Sequence, residues 1–185
     1  TRNGLAKYNQ RTDNFTGYIS EDTSFGRPAC NEIISLMESS QGVLWVGTWY
    51  GGLARFNKET GQFRYYFGEG DTLTIPRIRT LFQRTANSFY LGSDDGLYTF
   101  NTTTGECLPT DDEQNKESIY ACYQDREGGI WIGTYFSGVS YLSPKHKDIE
   151  WYYPNGTENS LSGNVISQFC EDPDGNIWIA TEDGG

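Results

Sequence analysis

Four pairs of neighbouring residues carry side chains that could bind or transform a ligand, and each pair directly follows a Thr or Ser. Two pairs are aromatic and two are acidic. Aromatic rings suit the apolar face of a sugar, and carboxylates can accept hydrogen bonds from its hydroxyl groups or act as acid and base in catalysis. The pairs are Trp49-Tyr50, Asp94-Asp95, Tyr135-Phe136 and Glu182-Asp183.

Catalysis is the weaker interpretation of these residues. A general base is most often a histidine, and His146 lies beside Lys145 and Lys147 in a segment typical of a solvated turn. The acidic pairs need no catalytic explanation, because the chain has 25 acidic residues against 14 Lys and Arg. We therefore expect binding and no catalytic residues.

The sequence favours neither a metal site nor a disulfide bond. The segment 172–175, Asp-Pro-Asp-Gly, lacks further acidic partners at EF-hand spacing and is typical of a hairpin turn. None of the four cysteines (Cys30, Cys107, Cys122 and Cys170) forms a C-x-x-C pair. We expect no metal and no cofactor. Cys122 and Cys170 have the strand parity to face one another, and we expect two buried, unpaired thiols.

Composition excludes several classes of partner. The net charge of −11 repels nucleic acid and anionic membrane surfaces, so neither is expected as a partner. No apolar run reaches the length of a membrane span, and the first residues do not resemble a signal peptide. An aromatic content of 15% favours a folded chain, and the absence of an initiator Met suggests an internal piece of a longer protein.

The elements that must position the four pairs are visible as an internal repeat. Each pair follows an apolar strand-like segment that ends in Thr or Ser, and Thr1 fits as the end of a fifth copy. The intervals between these end residues are 47, 45, 41 and 47 residues. The segments are Leu44–Thr48, Phe89–Ser93, Ile130–Thr134 and Ile177–Thr181.

Each period resolves into four short apolar segments separated by turns. Examples in order along the period are Ile33–Glu38, Leu44–Thr48, Leu53–Asn57 and Phe63–Phe67, and the second copy is expected to begin at Ile78. Four antiparallel strands in about 45 residues predict a β-propeller blade. A sandwich would not repeat its own sequence, and no segment has the apolar spacing of a helical solenoid. The fold class is therefore all-β.

The last copy carries a family resemblance. Residues 159–166, N-S-L-S-G-N-V-I, lead into residues 171–181, E-D-P-D-G-N-I-W-I-A-T. This closely resembles the two-component regulator propeller repeat, roughly S-L-x-x-N-x-I, then E-D-x-x-G-x-L-W-I-G-T, then G-G-L. The pattern recurs at 42–53 and 129–139, and more weakly in the second copy, where Tyr90 replaces Trp.

The resemblance implies a ligand sensor upstream of a histidine kinase. Such repeats form the periplasmic sensor region of Bacteroidetes hybrid two-component systems, which respond to glycan breakdown products. It therefore implies a periplasmic location and an oligosaccharide or other small glycan as ligand. A propeller scaffold for protein–protein interaction is the alternative, because a fold alone does not decide function. A propeller lyase or glycosidase is less favoured.

The repeat divides the chain into a single propeller segment with five parts. We expect an outer half blade at 1–20, whole blades at 31–67, 77–109 and 118–153, and an inner half blade at 164–185. The segment could close as a four-bladed ring, pair with a second copy, or join the remaining blades of a larger propeller, which the family favours.

The four pairs are expected at the mouth of the central channel. In a four-stranded blade, the turn between the second and third strands emerges on the same side as the link to the next blade. The strands flanking these turns repeat while the turns themselves differ, as expected for a shared scaffold with specialised turns. The residues at the Trp position are instead expected to pack between blades: Trp45, Tyr90, Trp131 and Trp178.

Overall fold

A computed structural model of the protein describes residues 3–20, 31–67, 73, 75–110, 116–145 and 149–184. Thr1, Cys30 and His146, each considered above, lie outside these ranges. The described ranges contain no apolar helix with the length needed to cross a bilayer.

Sixteen β-strands form five antiparallel sheets within the described residues. The strands are β1 Leu5–Asn9, β2 Asn14–Tyr18, β3 Ile33–Glu38, β4 Leu44–Thr48, β5 Leu53–Phe56, β6 Phe63–Tyr66, β7 Thr80–Thr85, β8 Ser88–Ser93, β9 Gly96–Asn101, β10 Cys107–Pro109, β11 Ile119–Gln124, β12 Ile130–Thr134, β13 Val139–Leu142, β14 Ile149–Tyr152, β15 Ile166–Glu171 and β16 Ile177–Thr181. Each strand pairs with its neighbour in sequence within its sheet.

Three sheets have four strands and two have two strands, which confirms the all-β propeller-blade fold class. We call them the first blade (β3–β6), the second blade (β7–β10), the third blade (β11–β14), and the amino-terminal and carboxyl-terminal half sheets (β1–β2 and β15–β16). The first strands β3, β7, β11 and β15 contact one another in order, so successive sheets stack side by side.

A glycine repeated in the second strand of the three complete blades permits this stacking. A Cβ added at Gly133 would lie 2.5 Å from the Ile166 side chain of the next sheet, and one at Gly92 would lie 2.7 Å from Ile119. Such distances are too short for a side chain, so the first strand of each following sheet can approach only where this position is glycine. The last sheet has the exposed Ala180 at the same repeat position.

Aromatic residues fill the space between blades. Trp45 is 4% exposed and packs edge-on against Phe89 and Phe100 of the second blade, with ring centroids 5.1 and 5.6 Å apart. This confirms inter-blade packing for Trp45. Trp178, at the same repeat position in the carboxyl-terminal half sheet, is 65% exposed, because no described sheet covers its face.

The hairpins between first and second strands are held by a repeated set of hydrogen bonds. Asp125 accepts the Gly129 amide at 2.7 Å and the Trp131 indole N–H at 2.9 Å. Asp172 accepts the Asn176 amide and the Trp178 indole N–H, both at 2.9 Å. The Asp and the Trp of the repeat therefore act together to close each of these two hairpins.

These hairpins also bind their neighbours. The Arg126 guanidinium donates to the backbone carbonyls of Pro173 and Asp172 at 2.9 and 2.8 Å. Between the first and second blades, the Ser40 amide donates to the Gln83 side chain at 2.7 Å. We call this end of the blades, where the first strand turns into the second, the hairpin end.

Two expectations need correction. Strand β7 begins at Thr80 and not at Ile78, because the Ile78 amide donates to the Thr48 carbonyl of the first blade as the chain crosses between blades. Cys122 and Cys170 are unpaired as expected, but the expectation that both are buried is wrong for Cys170. Cys122 packs into the cluster shared with the second blade, where burial raises the pKa of its thiol to about 12, whereas Cys170 is exposed.

Candidate functional site

A buried hydroxyl shapes every turn between second and third strands in the three complete blades. The Thr48 and Thr134 hydroxyls donate to the carbonyls of Gly52 and Gly138 at 2.9 Å, and the Ser93 hydroxyl donates to the Gly96 carbonyl at 3.1 Å. These three hydroxyl residues are at most 1% exposed. The repeated Thr or Ser therefore fixes the turn, while the residues that follow it are free to vary.

These turns lie at the same end of the blades as the links between blades. The Trp49 amide donates to the Glu32 carbonyl at 2.9 Å, and the Arg77 amide donates to the Trp49 carbonyl at 3.2 Å. The Tyr135 amide likewise donates to the Ser118 carbonyl at 3.0 Å. Backbone hydrogen bonds thus place Trp49 and Tyr135 beside the starts of the first strands, at what we call the mouth end.

Asp94 is the centre of a polar network at the mouth end. Its carboxylate accepts hydrogen bonds from the guanidinium groups of both Arg77 and Arg79. It also accepts the Ser118 hydroxyl of the third blade at 3.2 Å. Arg77 is itself bonded to the Trp49 carbonyl of the first blade. With Asp94 in the second blade and Ser118 in the third, this network links three blades.

Aromatic rings flank the two arginines. The Arg77 guanidinium carbon lies 4.7 Å from the Trp49 ring centroid, and that of Arg79 lies 4.1 Å from the Tyr120 ring centroid. Tyr120 in turn stacks on Tyr135, with centroids 4.8 Å apart and ring planes 18° apart. Cation–π and ring-stacking contacts therefore extend the network into a continuous row, which we call the mouth row.

Electrostatics favour the charged form of Asp94. Partial burial raises the pKa of its carboxyl, but hydrogen bonds from Arg79 and Arg77 and their positive charges outweigh burial, so the pKa lies below its ordinary value. Burial raises the pKa of the Tyr120 hydroxyl, and the charges of Asp94 and Glu182 add to that rise although Arg79 opposes it. The mouth row thus presents a carboxylate beside guanidinium donors and the neutral phenol of Tyr120.

The structure brings some of the eight expected residues together and separates others. Trp49, Asp94 and Tyr135 join the mouth row. Tyr50 and Phe136 lie on the same turns and are 57% and 66% exposed. Their rings contact Trp49 and Tyr135 respectively, with centroids 6.2 and 4.2 Å apart.

The remaining three expected residues are acidic and differ in role. Asp95 is exposed, and its amide donates to the Ser93 hydroxyl at 3.1 Å. Glu182 is exposed and lies near enough to Tyr120 for its charge to act there. The Asp183 carboxylate accepts the amides of Val165 and Asn164 at 3.0 and 3.1 Å, and these bonds lower its pKa. Asp183 therefore already serves the backbone.

Sequence reasoning missed Arg77, Arg79, Ser118 and Tyr120. All four lie on the links and first strands, outside the turns that the sequence pattern singles out. Strand alternation gives no signal for this pair, because Arg77 has a left-handed φ of 46° and the strand begins only at Thr80.

No metal site accompanies the mouth row. No cluster of three or more metal-ligating side chains occurs in the part of the chain that the structure describes. The mouth row consists of aromatic rings, guanidinium groups and a carboxylate.

Comparison with known proteins finds a family whose repeat matches three segments of the chain. Residues 28–50, 113–136 and 160–183 match the family described as two component regulator propeller. Three segments of the chain are thus similar to two-component regulator propeller repeats. The resemblance drawn from sequence is thereby confirmed, and the matched segments run from the link through the second strand of the first blade, the third blade and the carboxyl-terminal half sheet. No curated protein matches the sequence significantly.

Several solved structures are similar in fold. The extracellular domain described as that of hybrid two component system BT4673 from B. thetaiotaomicron is 24% identical, with a TM-score of 0.78, over 100% of this chain and 24% of that one. The corresponding domain of BT3049 from the same organism is 21% identical, with a TM-score of 0.62, over 100% of this chain and 30% of that one.

A propeller enzyme is also similar in fold. Virginiamycin B lyase from Staphylococcus aureus is 12% identical, with a TM-score of 0.70, over 99% of this chain and 58% of that one. At these identities the likenesses show the propeller fold. The chain spans about a quarter of the length of the two B. thetaiotaomicron domains.

Proposed function

We propose that these propeller repeats belong to the extracytoplasmic ligand-sensing region of a hybrid two-component sensor kinase, located in the periplasm, and that the mouth row binds a glycan-derived ligand. The regulator propeller repeats and the fold shared with two extracellular sensor domains support the first part of the proposal. The geometry of the mouth row supports the second.

The observation that carries the ligand assignment is the combination of rings and paired polar groups in one row. Sugars present apolar ring faces to aromatic side chains and hydroxyl pairs to planar polar groups. Trp49 and Tyr135 supply ring faces, while Asp94 and the two arginines supply an acceptor and several donors. Because Asp94 offsets part of the positive charge, a neutral sugar meets matched donors and acceptors.

Signalling follows from the position of the row across three blades. A ligand that touches several blades at the mouth end favours the inter-blade or inter-protomer arrangement that it binds more tightly. The shift can be no larger than the difference between its affinities for the two arrangements. In this account the region transmits occupancy and performs no chemistry, and the phosphotransfer step belongs to a downstream kinase.

A protein-interaction scaffold is the second candidate, and the exposure of Tyr50 and Phe136 supports it. Exposed aromatic residues are enriched at protein–protein interfaces. In this alternative the remaining blades of a parent propeller, a second copy of the chain or another protein would cover the mouth end, and no small ligand would bind.

Thermal melting in the presence of saccharides distinguishes the two candidates, because a ligand that binds the folded state raises the melting temperature. We expect at least one saccharide in a panel of neutral and acidic di- to hexasaccharides to raise it. Trp49→Ala and Tyr135→Ala should abolish the rise. Phe15→Ala is the matched control, since Phe15 is 70% exposed on β2, away from the mouth row, and should leave the rise intact.

Two results would count against the proposal. Unaltered saccharide stabilisation in both mouth variants would overturn the site. The absence of stabilisation by every saccharide, together with capture of a protein partner that Trp49→Ala weakens, would favour the scaffold.

A further inference from the structure

Two arginines lie directly opposite each other in the first blade. In the register of its strands, Arg55 on β5 pairs with both Trp45 on β4 and Arg64 on β6, so the three residues share one face of the sheet. Like charges directly opposite each other across an antiparallel pair are destabilising. Neither arginine forms an ion pair with any residue that the structure describes.

The blade fold does not require this arginine pair. The equivalent positions hold Thr99 opposite Leu108 in the second blade and Tyr141 opposite Glu150 in the third. Basic residues on an outermost strand can protect a sheet edge from pairing, but Arg55 lies on the strand inside that edge. Edge protection therefore accounts for Arg64 at most.

The pair lines a groove at the hairpin end of the first blade. The groove has a volume of about 590 Å³, within the range of ligand sites, and its lining includes Val43, Arg55, Lys58, Phe63 and Arg64. Lys58 also bonds to Glu38 at 2.8 Å. Three of the 14 basic residues of an acidic chain thus line one groove, together with the single acidic residue Glu59.

We infer that this groove binds an oxyanion group, a sulfate, phosphate or carboxylate, held between the guanidinium groups of Arg55 and Arg64. Guanidinium groups match such anions with paired, charge-assisted hydrogen bonds. A bound anion would also neutralise the repulsion between the two arginines. The site is separate from the mouth row and does not depend on the function proposed for it.

Such an anion has two sources, a free ion and an acidic group carried on a sugar ring. The shared chemistry is the oxyanion, and the two sources are separable by experiment.

Calorimetric titration at constant ionic strength tests the inference. The probes are sodium sulfate, sodium phosphate, glucose 6-sulfate and glucuronate, with unsubstituted glucose as the uncharged control. We expect saturable binding of at least one anion, weakened about tenfold or more by Arg55→Gln and by Arg64→Gln. Arg64→Lys, which keeps the charge but loses the guanidinium fork, should weaken binding less than Arg64→Gln does.

Two controls show whether a loss of binding reflects the removed arginine and not a general change of charge or unfolding. Arg11→Gln removes the same charge from an exposed position in the amino-terminal half sheet and should bind as the wild type does. Thermal melting without ligand should show Arg55→Gln as stable as the wild type or more so, because the substitution relieves repulsion. Lost binding in that variant would then not reflect unfolding.

Binding of sulfate or phosphate alone as tightly as of the charged sugars would assign the site to a free ion, and tighter binding of a charged sugar would assign it to an acidic saccharide. Absence of saturable binding for all four anions would overturn the inference. Equal affinities in the wild type and both Gln variants would do the same.

Discussion

The two ends of the blades use their side chains in opposite ways. At the hairpin end, Asp125 and Asp172 make the same hydrogen bonds in two different sheets, each closing its own hairpin and holding an indole N–H. At the mouth end, the buried Thr or Ser closes each turn, and the two residues that follow differ from blade to blade.

This difference separates stability from specificity. Asp125 and Asp172 at the hairpin end hold their hairpins, so changing them should cost folding free energy. Many of those at the mouth end have no such structural task, so they can vary with the ligand while the propeller stays the same. The mouth row is the place where side chains from three blades meet.

The largest expected effect compares two tryptophans four residues apart. Trp45→Ala removes a buried ring that packs between two blades and should lower the free energy of unfolding by about 3–5 kcal/mol. Trp49→Ala removes a half-buried ring at the mouth and should cost about 1 kcal/mol, the scale of its cation–π contacts. Urea unfolding of both variants provides the measurement, and equal losses would erase the distinction between the two ends.

The next effect lies within the mouth end. Thr134→Val leaves the Gly138 carbonyl and the Ser137 amide without their buried hydroxyl partner and should cost about 2–3 kcal/mol. Phe136→Ala, two residues further on, should change the free energy of unfolding by less than about 0.5 kcal/mol because the ring is exposed. A large loss for Phe136→Ala would show that the variable residues also hold the turn.

A smaller effect concerns the charge at the centre of the mouth row. Asp94→Asn should cost about 1–2 kcal/mol at neutral pH, since hydrogen bonds to charged groups are stronger than neutral ones. Because the pKa of Asp94 is lowered by folding, its contribution is complete above the unfolded value of about 3.9 and is lost as pH falls through the lower folded value. Melting temperatures from pH 7 to pH 2 should converge for the wild type and the variant, and a constant difference across that range would contradict this assignment.

The smallest effect is at the hairpin end. Hydrogen bonds from Asn176, Trp178 and Asp174 lower the pKa of Asp172 to about 2. Its contribution to stability is therefore present above about pH 4 and fades as pH falls towards 2. Asp172→Asn should lose this acid dependence, and chemical denaturation at pH 5 and pH 2.5 measures it. An unchanged dependence would mean that these bonds do not favour the carboxylate.

The repeat predicted the features that depend on local sequence, which are the strands and the turns between them. The turns carrying Trp49, Asp94 and Tyr135 were correctly identified because Thr or Ser and Gly flank them at a fixed spacing. The mouth row itself depends on contacts between blades, and Arg79 meets Asp94 and Tyr120 only once the sheets stack. Distances of this kind are set by packing, which a single sequence does not reveal.

Cys170 and Asp183 illustrate the same limit. Strand parity suggested that Cys170 would face Cys122, but parity gives two faces and does not say which one the preceding blade covers. Asp183 belongs to an acidic pair by sequence, yet its carboxylate caps two amides of the link that precedes β15. For both residues, the surroundings of the side chain depend on parts of the chain more than ten positions away.

The central claim is that a saccharide binds at the mouth end while the Asp–Trp hairpins hold the sheets, and hydrogen exchange with a stabilising neutral saccharide bound tests it most directly. Slower exchange should be confined to amides at 49–51, 94–95 and 135–137. The hairpins at 39–42, 125–128 and 172–175 should exchange as they do without ligand. Protection of the hairpins with none at the mouth turns would contradict the account.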